Sequence, residues 1–385
     1  MKKNILVVDD SALMRRLLSD IINSDDRFVV SKVAFNGLEA LDYVTTNFKN
    51  VDAVVLDINM PKMNGLQFME KISKLNIKLT VIIVSTIAKE GAKETIQALE
   101  LGAFDFVTKP ESFIEAKGDD FKSRLIKCLT VATGQNLINE QSDTQIARVE
   151  RPRNTDNVTS SNKDVVISSR YDFKREKPEI KLASKDRKPL KKGATKLVAL
   201  ACSTGGPKAL QKVVPLLPKD LDASFLIVQH MPKGFTNSLA MRLDEMSELV
   251  VKEAVDGEEV KKGHVYIAKG GYQMRVRRER DKYYLVVSLE DARGGLRPCA
   301  DIMYESLVNS EYDEITCVVL TGMGGDGTQG IKKLNENNNI YVIAQDEQTS
   351  TVYGMPKVIA ESGLVDQIVP LEKVADAITN HVGVL

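Results

Sequence analysis

Lys196-Leu-Val-Ala-Leu-Ala-Cys-Ser-Thr-Gly-Gly-Pro-Lys-Ala-Leu210 holds an apolar run, an abrupt turn and the start of a helix. The run Lys196–Ala201 is too short for a helix and reads as a buried strand. It stops at Cys202-Ser203-Thr204-Gly205-Gly206, and Pro207 follows where proline suits the first turn of a helix. Strand, tight turn and helix form the repeating unit of an α/β domain. Working outward, Ser224–Val228, Val265–Ala268, Thr316–Leu320 and Ile340–Ala344 are further strand-length runs, most followed by helix patterns. Met274–Leu289 differs, with two alternating runs around Arg280-Asp281-Lys282 that predict a β-hairpin. Residues 195–385 are therefore expected to form a doubly wound, Rossmann-like α/β domain with a hairpin.

Residues 1–132 repeat the alternation. Ile5–Val8, Val29–Ala34, Ala53–Leu56, Val81–Val84 and Phe104–Val107 are separated by helix patterns at Ala12–Ile22, Leu38–Thr45, Leu66–Leu75 and Lys93–Leu101. Five such units predict a flavodoxin-like, five-stranded parallel sheet. Residues 133–194 change character. Arg170–Lys192 has ten basic residues against four acidic, is broken by Pro178 and Pro189, and has few large apolar side chains. Such a segment buries too little to offset its ordering entropy and reads as a flexible basic linker.

The 385 residues are 43% hydrophobic and 28% charged, ordinary for a globular chain. Lys plus Arg and Asp plus Glu both number 53. Zero net charge and the lack of a helix-turn-helix pattern argue against nucleic acid as a partner. No apolar run reaches the 18 or so residues of a membrane span, and Asp9 and Asp10 cut short the only signal-like start. Cys128, Cys202, Cys299 and Cys317 form no C-x-x-C pair, so neither zinc nor a disulfide framework is expected. A cytoplasmic, monomeric protein without membrane insertion is the expectation.

Asp9 and Asp10 follow the first expected strand, Asp57 the third, Ser85 and Thr86 the fourth and Lys109 the fifth. Ligands of doubly wound sheets gather at these carboxyl ends. One strand-end aspartate is ordinarily a helix cap. Three converging carboxylates repel one another and favour a hard cation such as Mg²⁺. Val-Val-Asp-Asp-Ser, Leu-Asp-Ile-Asn-Met-Pro-Lys-Met-Asn-Gly, Val-Ser-Thr and Val-Thr-Lys-Pro resemble the receiver domain of two-component response regulators over residues 1–130. The resemblance implies phosphorylation of Asp57 by a histidine kinase. It also implies Mg²⁺ held by Asp9, Asp10, Asp57 and the Asn59 carbonyl, with Lys109 and Ser85 contacting the acyl phosphate. Ser85 is favoured over Thr86 because it directly follows the apolar strand.

In the other domain, a serine on a sharp strand-to-helix turn presents its hydroxyl beside free main-chain N–H groups. That makes Ser203 a candidate nucleophile and Thr204 a candidate oxyanion position, although glycine-rich turns of this type also bind phosphate. Three histidines are available. His381 reads as a structural or surface residue of the last helix, and His264 as a turn residue. His230 ends the run Phe225–Val228 plus Gln229 on the same strand-end face as Ser203, and imidazole can exchange a proton near neutrality. Thr321-Gly-Met-Gly-Gly-Asp-Gly-Thr328 follows another strand and carries Asp326 without a Walker lysine. Ser203, His230 and Asp326 would complete a serine–histidine–acid set. Cys202 belongs to the strand and reads as an inert buried thiol.

Ser-Thr-Gly-Gly-Pro, Gln-His-Met-Pro-Lys-Gly-Phe-Thr, Gly-His-Val-Tyr-Ile-Ala, Leu-Thr-Gly-Met-Gly-Gly-Asp-Gly and Tyr-Gly-Met-Pro make residues 195–385 similar to the catalytic domain of the chemotaxis protein-glutamate methylesterases, the CheB family. The resemblance implies Ser203 as nucleophile, His230 as base, Asp326 as orienting acid and the Met323 N–H as oxyanion donor. No cofactor is implied for hydrolysis. The implied substrates are glutamate methyl esters and glutamines on methyl-accepting chemotaxis receptors, and the implied phosphodonor is the chemotaxis histidine kinase. The expected regulation is a resting receiver that covers the cleft until Asp57 is phosphorylated. One departure is visible. The family commonly has His-Arg-Pro-Ser-Val-Asp where this chain has Leu296-Arg297-Pro298-Cys299-Ala300-Asp301, which bears on a substrate-side contact at Leu296. The alternative is a response regulator whose output domain binds receptors without catalysis.

Overall fold

Short Val- and Ile-rich runs become parallel strands when helices cover both faces of the sheet. The computed structural model describes residues 1–86, 88–110, 119–135, 182–183 and 193–385. The first sheet contains β1 (Lys3–Val8), β2 (Phe28–Ala34), β3 (Ala53–Asp57), β4 (Val81–Ser85) and β5 (Asp105–Thr108). Their order is β2-β1-β3-β4-β5, with every pairing parallel. All residues of β3 and β4 are buried. Helices Ala12–Asn23, Gly37–Asn47, Gly65–Lys74 and Lys89–Glu100 connect the strands, and Asp119–Ala132 follows them. Ser11 and Asn36 cap the first two through their side chains, and Asn64 and Gln67 form a reciprocal box at the third. These caps start each helix close to its strand end.

The second part runs β6 (Lys196–Cys202), β7 (Ser224–Gln229), β8 (Val250–Glu253), β9 (His264–Ile267), β10 (Gln273–Glu279), β11 (Lys282–Ser288), β12 (Glu314–Val319), β13 (Ile340–Gln345) and β14 (Gln367–Val369). Seven of these form a parallel sheet in the order β14-β13-β12-β6-β7-β9-β8. β10 and β11 are the expected antiparallel hairpin, with Glu279 opposite Lys282. From β6 the chain moves to β7 on one side, and it later returns to β12 on the other. That reversal opens a crevice at the carboxyl ends of β6, β7 and β12, where such sheets bind ligands.

Alternation along β6 divides its side chains between two cores. Leu197, Ala199 and Ala201 pack on one face, and Val198, Leu200 and Cys202 on the other. The second core continues without a break into the first domain, taking in Ile96 and Leu99 of helix Lys89–Glu100. At the same junction Phe106 lies against Phe235, with ring centroids 4.6 Å apart, and Arg242 pairs with Glu100 at 2.8 Å.

The two sheets match the fold expected from sequence. β8 and β14 were not anticipated. Both are short strands at opposite edges of the second sheet, where one side lacks a pairing strand and the apolar signal is weak. The linker expectation, residues 133–194, lies mostly outside the described residues. Within it, the Ala183 N–H donates to the Val365 carbonyl at 2.8 Å. No helix among the described residues is long and apolar enough to cross a membrane.

Candidate active site

β6 ends with Cys202 opposite Gln229 of β7, so the next residues, Ser203 and His230, emerge side by side. The buried Gln229 amide holds them there, its Nε2 donating to the Ser203 carbonyl at 3.0 Å and the His230 carbonyl at 3.1 Å. A side chain at Gly206 would collide with Gln229 Oε1, so only glycine lets the helix Gly206–Val213 begin so near. The third segment approaches just as closely. A Cβ at Gly322 would sit 2.8 Å from the Ser203 Cβ, and the Ser203 N–H donates to the Thr321 carbonyl at 3.0 Å.

Asp326 lies in the loop between β12 and helix Thr328–Asn337. Its Oδ2 is 2.7 Å from His230 Nε2 and accepts the Ala300 N–H at 2.6 Å. Its Oδ1 accepts from the N–H groups of Asp301 and Gly327, both at 3.0 Å, and from the Cys299 thiol at 3.1 Å. Burial alone would raise this carboxyl. The hydrogen bond and charge of His230, with the Ala300 and Asp301 N–H groups, outweigh burial and hold it far below its ordinary 3.8. A carboxylate only accepts, so Nε2 carries the imidazole proton and Nδ1 is left basic. That atom can take a proton from a hydroxyl. No hydrogen bond joins the Ser203 hydroxyl to His230 among the described residues, a gap of the sort that closes when substrate binds.

The main-chain N–H groups of Thr204 and Met323 have no acceptor among the described residues. Two unpaired donors beside a hydroxyl are what a tetrahedral oxyanion requires. The Thr321 hydroxyl fixes this turn by donating to the Thr204 carbonyl at 2.9 Å. Gln229 and Thr321 escaped sequence reasoning. The available signal was a polar residue closing an otherwise apolar run.

The remaining histidines and Cys202 stand apart from this row. His264 Nδ1 is 3.0 Å from the Lys262 carbonyl at the amino end of β9. His381 is not merely a surface residue. It stacks on Tyr341 with centroids 3.6 Å apart and pairs at 2.8 Å with the buried Glu314, at the amino end of β12. Cys202 is buried, its thiol lies 3.0 Å from Gln229 Oε1, and burial pushes its pKa far up. Leu296 contributes its carbonyl to the Gln273 amide at 3.1 Å.

A second polar centre lies in the first domain. Asp9, Asp10 and Asp57 each place an oxygen within 4.8 Å of the others. Lys109 Nζ bridges Asp9 and Asp57 at 2.8 Å each. Burial raises the Asp57 carboxyl in spite of Lys109, while the two carboxylates keep the Lys109 ammonium above its ordinary value against the effect of burial. An all-oxygen set of carboxylates fits Mg²⁺ rather than a softer ion. Asn59 is exposed two residues beyond Asp57. The Ser85 hydroxyl donates to the Gly91 carbonyl at 3.2 Å, which turns it toward helix Lys89–Glu100.

β5 touches both centres. Asp105 Oδ2 accepts the Thr204 hydroxyl at 2.6 Å, Phe106 meets Phe235, and Lys109 follows the strand directly. Burial raises the Asp105 carboxyl, and the Thr204 hydroxyl and Phe106 N–H oppose it without cancelling it.

Comparison with known proteins agrees with both halves. Residues 198–378 match the CheB methylesterase family, and residues 5–117 match the response regulator receiver domain. The protein-glutamate methylesterase/protein-glutamine glutaminase 1 of Syntrophomonas wolfei is 40% identical over 385 residues, spanning 98% of each chain. The protein-glutamate methylesterase/protein-glutamine glutaminase of Bacillus subtilis is 38% identical over 98% of each chain. The crystal structure of the Thermotoga maritima CheB methylesterase catalytic domain is 42% identical, covers 49% of this chain and all of its own, and gives a TM-score of 0.47. Similarity that runs nearly end to end through both domains shows that the chain belongs to the CheB methylesterase family, with a response regulator receiver domain preceding its hydrolase.

Proposed function

We propose that this chain hydrolyses γ-methyl esters of glutamate, and deamidates glutamine, on chemotaxis receptors, and that phosphorylation of Asp57 releases this activity. The reading rests chiefly on the hydrogen-bonded row of Asp326 and His230 ending beside Ser203 at the reversal point of the sheet. Ser203 attacks the ester carbonyl while His230 Nδ1 takes the serine proton. The charge that develops on the carbonyl oxygen is met by the Thr204 and Met323 N–H groups. His230 returns the proton to departing methanol, and water then cleaves the acyl-enzyme to glutamate. Asp326 holds the imidazole in the required tautomer and stabilises its protonated form.

The regulatory reading is supported by the contacts of β5. With the Thr204 hydroxyl bound to Asp105 and Phe235 packed on Phe106, the receiver sits against the turn that carries Ser203. The phosphodonor is a chemotaxis histidine kinase. Asp9, Asp10 and Asp57, with the Asn59 carbonyl, would hold Mg²⁺, which when bound neutralises charge on the transferred phosphoryl oxygens. Phosphorylation adds about −1.5 to −2 charge at Asp57, drawing the Ser85 hydroxyl off Gly91, turning Lys109 from the two carboxylates to the phosphoryl group and so disturbing β5.

Methanol release from methylated receptor membranes tests both parts. Ser203→Ala should abolish it, and retained release would reject the nucleophile. Asp57→Ala should keep basal release and lose stimulation by a small phosphodonor. Persistent stimulation would reject the switch.

A further inference from the structure

The Asp326 carboxylate sits on a second acid that no role above uses. The Asp301 N–H donates to Asp326 Oδ1 at 3.0 Å, while Asp301 Oδ1 accepts the Gly327 N–H at 3.0 Å and the Gly330 N–H at 2.7 Å. The Gly327 N–H is shared, because Asp326 Oδ1 lies 3.0 Å from it as well. Thus the residue before Gly327 and the turn after it are gripped from both sides by Asp301. Space enforces the fit, since a Cβ at Gly330 would lie 2.8 Å from the Asp301 carbonyl oxygen and 2.8 Å from the Tyr304 Cβ.

A carboxylate this close to Asp326 is costly. Burial, and then the Asp326 charge, raise the Asp301 carboxyl. A merely apolar residue would avoid that cost but leave the Gly330 N–H without an acceptor and the Gly327 N–H held by Asp326 alone. The loop is rich in glycine, Gly322-Met-Gly-Gly-Asp-Gly327, and has little stiffness of its own.

We propose that Asp301 is a positioning residue of the hydrolase, fixing Asp326 toward His230 by clamping the Gly327 and Gly330 N–H groups. This rests on Asp326 being the orienting acid. The essential feature is a short acceptor at this point rather than a negative charge. Asp301→Asn keeps the Oδ1 acceptor and removes the charge. Asp301→Glu keeps the charge but moves the acceptor by a methylene.

The test is steady-state methanol release by full-length protein activated with a small phosphodonor, over a pH series. Asp301→Asn should stay within about threefold of the parent kcat. Asp301→Glu and Asp301→Ala should lose about ten- to hundredfold in kcat, the range expected when one buried loop N–H is left without its acceptor, with KM little changed. In Asp301→Ala the acid limb of kcat/KM should move to lower pH, because a loosened Asp326 supports the imidazolium less. Loss of folded protein would instead scale the profile without moving it. Should Asp301→Ala not fold, the opposed Asn and Glu variants still decide. Equal activity in those two, or a change confined to KM, would overturn the proposal. Asp326→Ala separates the premise: if that variant remains fully active, the orienting-acid reading itself has failed.

Discussion

If the receiver restrains the hydrolase through β5, shaving the Phe106 ring should free it. Phe106 is half-buried, and its ring centroid lies 4.6 Å from that of Phe235 at a tilt of 34°. Full burial of a phenyl group is worth about 1.5–3 kcal/mol, and a tilted aromatic pair adds about 0.5–1.5 kcal/mol. Counting half the burial with a middling pair gives about 2 kcal/mol for closure. That corresponds to about 30-fold in the ratio of closed to open protein. Phe106→Ala should therefore raise methanol release without phosphodonor by as much as about 30-fold, capped at the activated level. The phosphodonor should add correspondingly less. Phe106→Tyr retains the ring and should behave like the parent. Unchanged basal release from Phe106→Ala, in protein with an undisturbed melting curve, would refute closure through this contact.

Proton linkage gives a second handle on the same junction. Asp105 has a raised pKa in the folded protein, so its contribution to folded stability is complete below the ordinary 3.8 and fades as pH rises through the raised value. Asp105→Asn should therefore gain melting temperature over the parent near neutrality and lose that gain at acid pH, as followed by thermal melts; a difference that does not change with pH would contradict it. Asp326 has the opposite sign. Its pKa is depressed on folding, so its stabilisation is present above the ordinary 3.8 and is lost as pH falls through the depressed value. Asp326→Asn should lower the melting temperature near neutrality and flatten the acid decline below about pH 4, as followed by thermal melts over a pH series. Cys202→Ala should keep kcat within about threefold, because a buried protonated thiol contributes no nucleophile; inactivation of a folded variant would point back to the sulfur.

Most of both sheets was legible because each strand is a compact apolar run with a polar or glycine stop. Ala53–Asp57 and Ser224–Gln229 are buried along their whole length, and that burial is what the runs encode. Val250–Glu253 carries lysine and glutamate on an edge, so its strand identity depends on β9 pairing with it rather than on its own pattern. The grouping of Ser203, His230 and Asp326 was suggested by strand-end loops and the family resemblance together, and the structure brings the last two to 2.7 Å. Which imidazole nitrogen faces the acid was not suggested, since Asp326 is aimed by the N–H groups of Ala300 and Asp301, which lie 26 and 25 positions away along the chain. The 2.6 Å contact of Thr204 with Asp105 joins residues 99 positions apart, and no local pattern announces it. Ser85 was readable as a strand-end hydroxyl, but its present partner on Gly91 was not.

β5 and the residue after it place the hydrolase contact and the lysine that bridges Asp9 and Asp57 on one short, stiff rod. From Asp105 to Lys109 is four residues, about 13 Å at an extended rise of about 3.3 Å each. On the proposed reading the message needs no relay of intermediaries, only a tug along a single backbone. Lengthening that rod by one residue after Phe106 would leave the Ser203–His230–Asp326 row untouched. Lys109 and its neighbours would be turned to the opposite side of the sheet, and the two halves would fall out of conversation.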